Sequence, residues 1–453
     1  MSAPFGLGDP KKPITFDEML SVLRAQAKQF PDRRTGKNIS YPNVEDFALS
    51  AFSVFHFQHP SFLASAQEME ALQGKNNART IFGINKIPSD NHIRDFLDEA
   101  DPALLNPVFE TIFDRLQGTG AIEVMRSSFN SQLLMAFDGL HFFESKKICC
   151  ENCSHKTHKN GTTSYYHHAV TPVFVSPNCT HVIDLPPEFI TPQDGSDKQD
   201  CELAAAKRWL DKHGGRYAPL GVTILGDDLY CRQPFCEQVR SAGYHFIFTC
   251  KPDSHKTLYE WIEGLEKIGA IKKKVVRRWT GKRHEVDTYR YVSDLPLKAG
   301  ENALKVDWFE LITTTESGEI IYRNAYATDH KIEWQNVSEA TWVGRARWKI
   351  ENENNNTLKT KGYHLEHSFG HGSKYLANLL AALNMLAFLF HTVLELFSEL
   401  YQKIRGKLGA RRKFFEHIKA LTHYICFDGW TPLLVFMAER LELQISSAGI
   451  DSG

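Results

Sequence analysis

The sequence predicts a mixed α/β core, interrupted by a β-rich insertion and flanked by a helical N-terminal domain and a helical C-terminal tail. Three observations predict it. Between residues 130 and 250, short apolar runs alternate with amphipathic helical stretches. From 270 to 328 the pattern is strand alone, as "KKKVVRRWTGKRHEVDTYRYV", "ALKVDWFELITTT" and "EIIYRNAYAT", with turn signals at Gly281 and Ser317-Gly318. Residues 14–125 and those after 331 carry helical spacing instead.

In chain order, residues 44–57 place Val44, Phe47, Ala48, Ala51, Phe52 and Phe55 on one helical face. Residues 87–97 open with Pro88 and with Ser89 as an N-cap, then present Ile93, Phe96 and Leu97 as an apolar face. "LLMAF" (133–137) is a buried strand ending at Asp138 and Gly139. Residues 165–175 and 181–185 are strand-like runs separated by Pro177 and Asn178. A helix over 201–212, a strand over 222–225, a helix over 235–242 and the strand "HFIFTC" (245–250) complete the alternation. The segment "EATWVGRARWKIENENNNTLKTKG" (339–362) reads as helical.

The 453 residues suggest two or three domains. Hydrophobic content of 42% and charged content of 24% are those of a soluble globular protein. A net charge of -1 excludes global basicity as a sign of nucleic-acid binding, leaving local patches to do that work. The nine cysteines are odd in number, and the polar N-terminal stretch carries no secretory pattern, so reduced thiols and a cytoplasmic location are expected. Residues 375–397 are apolar enough to suggest a membrane span. Asn378, Asn384, His391 and Glu395 are costly in lipid, so a buried core helix is expected and no membrane.

The chemistry centres on carboxylates. "TILGDDLYCRQ" sets Asp227 and Asp228 side by side at the end of an apolar run. Such a pair repels itself unless a cation is present. Asp138 also ends a strand, and working residues in α/β sheets gather at the carboxyl ends of strands. Hard divalent cations take carboxylate oxygens, and two ions about 4 Å apart clamp the oxygens of a phosphoryl transfer. Glu351 is the candidate third acid. Arg347 lies four residues before it, and Arg345, Lys349, Lys359 and Lys361 crowd the same segment, suited to a phosphodiester backbone.

The stretches "MAFDGLHFF", "LGDDLY" and "RWKIENENNNTLKTKGYHLEH" resemble the DDE transposases of bacterial insertion sequences, and the resemblance spans residues 130–390. "FITPQDGSDKQDCELAAAKRWL", "HFIFTCKPDSHKTLYEW" and the N-terminal "ISYPNVEDFALSAFSVFHFQHPSFL" are similar to one subgroup of them. The resemblance implies a ribonuclease-H-like core with a β insertion before the last acid. It implies catalytic, metal-holding roles for Asp138, Asp227 and Glu351 with two Mg²⁺ (or Mn²⁺) ions. A tyrosine three residues after the second aspartate selects Asp227 with Tyr230, Asp228 being the rival or a supporting acid. Arg347, Tyr230, Lys359 and Lys361 fall to DNA binding. Two positions depart from the family signature: Gly344 stands where it has tyrosine, and Leu358 where it has lysine, with Lys359 one place off.

The implied partners are double-stranded DNA, as element ends and target, and further copies of the chain in a dimer or larger assembly. The implied plan is a DNA-end-binding helical region over 1–128, the first part of the core over 129–262, the insertion over 263–330, the rest of the core over 331–400 and a basic helical tail over 401–453. Two alternatives are a nuclease of the same fold without strand transfer and a catalytically dead, domesticated DNA-binding protein.

Two further features stand apart. Cys150 and Cys153 have the spacing of a zinc half-site, which His158 and one of His155, His167 or His168 would complete. Basic clusters occur in the insertion (Lys272, Lys273, Lys274, Arg277, Arg278, Lys282 and Arg283, with Trp279 among them) and in the tail (Lys403, Arg405, Lys407, Arg411, Arg412 and Lys413). At least one is expected to bind DNA phosphates, and Trp279 to stack on an exposed base.

Overall fold

The structure is a computed structural model that describes residues 12–35, 39–70, 72–192 and 201–444. The two chain ends and part of the 189–210 stretch lie outside the described residues.

The N-terminal region is helical, as expected: α1 (Phe16–Ala27), α2 (Glu45–His56), α3 (Phe62–Glu70), α4 (Leu72–Phe82), α5 (Asp90–Leu97) and α6 (Asn106–Gly118). α1 starts where Thr15 and Glu18 each accept the other's backbone N–H, satisfying two of the end donors. Ser89 occupies the N-cap position of α5 but does not cap it; its hydroxyl bonds His92 Nδ1 at 2.6 Å instead.

Strands then dominate: β1 (Leu133–Ala136), β2 (Gly139–Ser145), β3 (Ser154–Thr157), β4 (Thr163–Val170), β5 (Val173–Ser176), β6 (Cys179–Asp184) and β7 (Glu188–Ile190). The single run expected over 165–175 is two strands in two different sheets. Pro172, which has no N–H to donate to a ladder, lies at the break, and Thr171 N–H turns away to bond Asp138 O at 3.1 Å. α7 (Glu202–Tyr217), β8 (Val222–Gly226), α8 (Gln233–Ser241), β9 (His245–Thr249) and α9 (Lys256–Lys267) follow. β10 (Lys272–Trp279), β11 (His284–Pro296), β12 (Lys305–Thr315) and β13 (Ile320–Thr328) form the insertion.

Nine strands make one mixed sheet in the order β10-β11-β12-β13-β9-β8-β1-β5-β6. β1, β8 and β9 are parallel, and the flanking pairs are antiparallel. The parallel centre fits its composition: β1 and β8 are buried at every residue, β1 is a continuous apolar run, and Thr223 is the single hydroxyl in β8. The insertion is no separate sheet. β13 pairs with β9, so its four strands extend the central one. A second sheet, β2-β4-β3 with β7 on β4, covers the chain leaving β1.

After the insertion come α10 (Val337–Ala346), a wide π-type turn over Ile350–Asn355, α11 (Asn356–Thr360), α12 (Leu376–Phe397), α13 (Glu399–Leu408), α14 (Arg411–Tyr424) and α15 (Trp430–Arg440). α12 is long and apolar enough to cross a membrane by length and composition, yet 89% of its most apolar window is buried inside the protein. It packs on α1, α2 and α5 of the N-terminal region and on β6 of the sheet. The apolar core runs unbroken from Ile14 to Ala438, so head, sheet and tail share one interior.

Phe390 of α12 is fully buried, with ring centroids of Phe16 and Phe52 at 6.2 and 4.8 Å. Phe390→Ala is expected to cost about 3–5 kcal/mol in urea unfolding, with the N-terminal helices and the sheet losing structure in one transition. Loss of the helices alone at lower urea would disprove the shared core.

Candidate functional site

The site is set by a register. β1 pairs with β8 from Leu133↔Val222 to Ala136↔Leu225, and Phe137 N–H continues the ladder to Leu225 O at 2.9 Å. Carried two residues further, the same offset sets Asp138 beside Asp227, both just beyond the carboxyl ends of parallel strands. Glu351 enters from the C-terminal half on the π-type turn, a feature often found at working sites. Arg347 lies one turn earlier, nearly buried, with Nη2 2.7 Å from Glu351 Oε1. Asn355, at the far end of that turn, donates from Nδ2 to Asp138 Oδ2 at 3.1 Å.

These groups act on one another electrostatically. Burial pushes the Asp138 carboxyl up to about 7; Arg347 opposes the shift, and the charges of Glu202, Glu351 and Asp227 add to it. The pocket thus holds four acids and one nearby arginine. Glu202, the first residue of α7, is the acid that the sequence reading missed. Burial raises its pKa, and the hydroxyl of Tyr230, at 2.6 Å from Oε1, works against that shift. Two glycines make room. A Cβ on Gly139 would run into the Glu202 carboxylate, and one on Gly226 would lie 2.9 Å from the Tyr230 ring. Sequence signals for the missed groups existed: Glu202 lies in "QDCELAAAKRWL" and Asn355 in the polar run after Glu351.

The adjacent aspartates take different partners because the chain turns here, with Tyr230 N–H bonded to Asp227 O at 3.2 Å. Asp227 stays in the acid pocket and accepts the Leu229 N–H at 2.8 Å. Asp228 turns to β9: it accepts the Lys251 N–H at 2.7 Å and lies 3.4 Å from His255 Nε2. Burial would raise Asp228, but His255, Ser254 and that N–H outweigh it and hold it at about 2.

Other expected contacts fall differently. Tyr230 is fully buried with its hydroxyl committed to Glu202, so it braces the pocket rather than meeting DNA. Lys359 pairs with Glu366 at 2.8 Å, and Lys361 is exposed. On β10, Arg277 and Trp279 are exposed, whereas Arg278 is engaged by Glu285 and Asp287 at 2.5 and 2.7 Å. In the tail, Lys403, Arg405, Arg411 and Arg412 pair with Glu399, Glu395, Glu395 and Glu416, so much of that basic stretch is neutralised internally.

The cysteine-histidine cluster also differs from expectation. Cys150, Cys153, His167 and His371 bring their ligand atoms within 4.8 Å of one another. His158 is not among them: its Nε2 bonds Ser164 Oγ at 2.8 Å across the β3–β4 turn. His168 faces Ser154 Oγ at 3.2 Å, and His155 is exposed. No sequence spacing could have named His371, which is 218 residues from Cys153.

No protein-family model matches the chain, and no curated protein matches it.

The raised carboxyl has a consequence for stability. The folded-state pKa of Asp138, about 7, exceeds the ordinary 3.8, so the unfolded chain ionises first. The stability that Asp138 allows is therefore highest below 3.8 and falls as pH rises toward 7. In chelator, Asp138→Asn is expected to stabilise the protein at pH 8 by on the order of 1–3 kcal/mol and to do little near pH 4. Urea unfolding at both pH values checks this; an equal effect at both would refute it.

Proposed function

We propose that the protein is a transposase: a metal-dependent enzyme with a ribonuclease-H-like core that cleaves the ends of an insertion sequence and joins them to target DNA. One observation carries the reading. Asp138 and Asp227, from adjacent parallel strands, meet Glu351 and Arg347, from a turn beyond the β insertion, in a single charged pocket. The mixed sheet and the strand block between β9 and the last acid support the fold assignment.

The donor set suits a hard divalent cation. It consists of carboxylate oxygens; burial raises Asp138 despite Arg347, and the charges of Glu202, Glu351 and Asp227 add to the shift, so a cation would be welcome there. Asp138, Asp227 and Glu351 would hold two Mg²⁺ or Mn²⁺ ions. When bound, these supply Lewis-acid polarisation of the phosphoryl group and an activated water or 3′-hydroxyl. The chain does the rest. Asn355 orients Asp138, Arg347 fixes Glu351, and Glu202 holds Tyr230 and the β2 start in place. Exposed Lys361, Lys272, Lys273 and Arg277 offer charge for phosphodiester backbone, and Trp279, 59% exposed, offers a stacking face. The N-terminal helices would grip the element end, and a second copy of the chain would hold the other end.

The test uses duplexes carrying the inverted repeats that bracket the gene, with Mg²⁺. Wild type is expected to nick the end and yield a product joined to a second duplex. Asp138→Ala, Asp227→Ala and Glu351→Ala should each reduce cleavage about 10³-fold or more. Asp228→Asn should keep cleavage while lowering the melting temperature. Cleavage that survives Asp138→Ala would sink the catalytic assignment; cleavage without joining would mark a nuclease; binding without cleavage would mark a DNA-binding protein.

A second measurement reads the metal directly. Since a proton must leave Asp138 before a cation binds, the thermal stabilisation by Mn²⁺ should grow as pH rises through about 7. It should vanish in Asp138→Asn, and a pH-independent shift would contradict the assignment.

A further inference from the structure

We propose that Cys150, Cys153, His167 and His371 form a closed structural zinc site, which clamps the β2–β3–β4 sheet to the loop preceding α12. The site is distinct from the acid pocket, and its ligands come from three parts of the chain. Cys150 and Cys153 flank a tight turn between β2 and β3, in which Cys153 N–H bonds Cys150 O at 3.2 Å. Cys150 N–H points back at Cys153 Sγ at 3.5 Å, a contact that favours thiolate at that sulfur. His167 is fully buried on β4, and His371 is nearly so in the loop after α11.

Five of the six edges match those of a coordination tetrahedron, and the sixth, Cys150 Sγ to His371 Nε2, lies within 4.8 Å. Sγ to Sγ is 3.8 Å. The sulfur–nitrogen edges are 3.4 Å (Cys150–His167), 3.3 Å (Cys153–His167) and 3.4 Å (Cys153–His371). The two Nε2 atoms are 3.3 Å apart. Tetrahedral zinc with bonds of about 2.3 Å to sulfur and 2.0–2.1 Å to nitrogen requires edges of about 3.8, 3.5 and 3.3 Å. His371 donates from Nδ1 to Gly372 O at 2.9 Å, so its neutral Nε2 carries the lone pair that turns toward Cys153 Sγ and His167 Nε2 and is available to an ion. That Nδ1 bond is also the usual outer support of a metal-bound histidine. The thiols are too far apart for a disulfide and are free.

The donor set selects the ion. Two thiolates and two imidazoles in a tetrahedron suit Zn²⁺ and disfavour the oxygen-seeking Mg²⁺ of the other pocket. Four protein ligands leave no open position, so the role is structural. The clamp lies at a junction that other contacts reinforce: Asn152 Nδ2 bonds Lys374 O at 2.6 Å, and Asp98 accepts the N–H groups of Ser373, Lys374 and Leu376 at 2.8, 3.0 and 3.0 Å. β2 begins right after Asp138, and His371 follows Glu351 by twenty residues of chain. One ion would therefore tie together the segments that leave two of the pocket's acids. The zinc site itself stands whether or not that pocket cuts DNA.

Metal analysis of the full-length protein, purified without chelator, tests the site. One zinc per chain is expected in wild type and in His158→Ala, and well under half in Cys153→Ser and His371→Ala. Absence of zinc in wild type, or its loss in His158→Ala with retention in His371→Ala, would overturn the site. If those variants fail to fold, His371→Cys and cobalt substitution decide. Wild type loaded with Co²⁺ should give visible bands of tetrahedral thiolate coordination, and His371→Cys should keep the ion and shift those bands as a third sulfur enters. Unchanged bands would exclude His371 as a ligand. Chelation of wild type should lower its melting temperature, with recovery by Zn²⁺ and not by Mg²⁺; recovery by either ion would refute the selectivity.

Discussion

The parallel register of β1 on β8 is the constraint from which the rest follows. Side chains on a strand alternate with period two, so a slip of one residue would turn Asp227 away from Asp138. Apolar burial holds the register against the cost it imposes on Asp138, chiefly desolvation of the carboxylate with repulsion from its acidic neighbours added. Leu133, Leu134 and Met135 are fully buried, as are Ile224 and Leu225 opposite, each contributing about 1.5–3 kcal/mol. Raising one carboxyl from 3.8 to about 7 costs about 4 kcal/mol when that carboxyl is ionised. The core outweighs this, so acids that would not gather by themselves are carried together at the strand ends.

The features legible in the sequence were those fixed by local chemistry. The run "LLMAF" reads as a buried strand, and the residue following it falls at that strand's carboxyl end, which located Asp138. The four-residue spacing of Arg347 and Glu351 survives as a direct ion pair. What stayed hidden depends on the third dimension. Asp227 and Asp228 are chemically identical neighbours; only the turn through Tyr230 and the arrival of Lys251 and His255 separate their roles. Glu202 has no partner in the sequence around it and gains its place only when α7 brings it against Gly139 and Tyr230. The run over 165–175 has one composition, yet it splits at Pro172 because its halves pair with different sheets.

Charge counting misled for a similar reason. The tail reads as a basic patch, but folding returns to it the acids needed to neutralise much of it: Glu395 serves both Arg405 and Arg411. Arg278 likewise belongs to Glu285 and Asp287 across the ladder. A linear cluster of cations measures affinity for phosphate only after internal partners are subtracted. By that measure the exposed Lys272, Lys273 and Arg277 of β10, beside Trp279, form a stronger candidate surface than the tail.

The two clusters divide their chemistry by donor type. The acid pocket offers carboxylate oxygens, open and crowded with charge, which suits a cation that must also meet a substrate. The cysteine-histidine cluster offers soft donors in a closed tetrahedron, which suits an ion that meets only protein. The separation matters because the two lie along the same chain segments. Carboxylate oxygens favour a hard ion and sulfur and imidazole donors a softer one, so the two donor sets would not compete for the same metal. Placing His371 beyond Glu351, and Cys150 and Cys153 beyond Asp138, lets one site set the backbone of the other without sharing a single ligand. The stiffness of the pocket therefore need not come from the carboxylates, whose burial and mutual repulsion work against it, and in the proposed reading they would be left free to give up a proton and take up a cation.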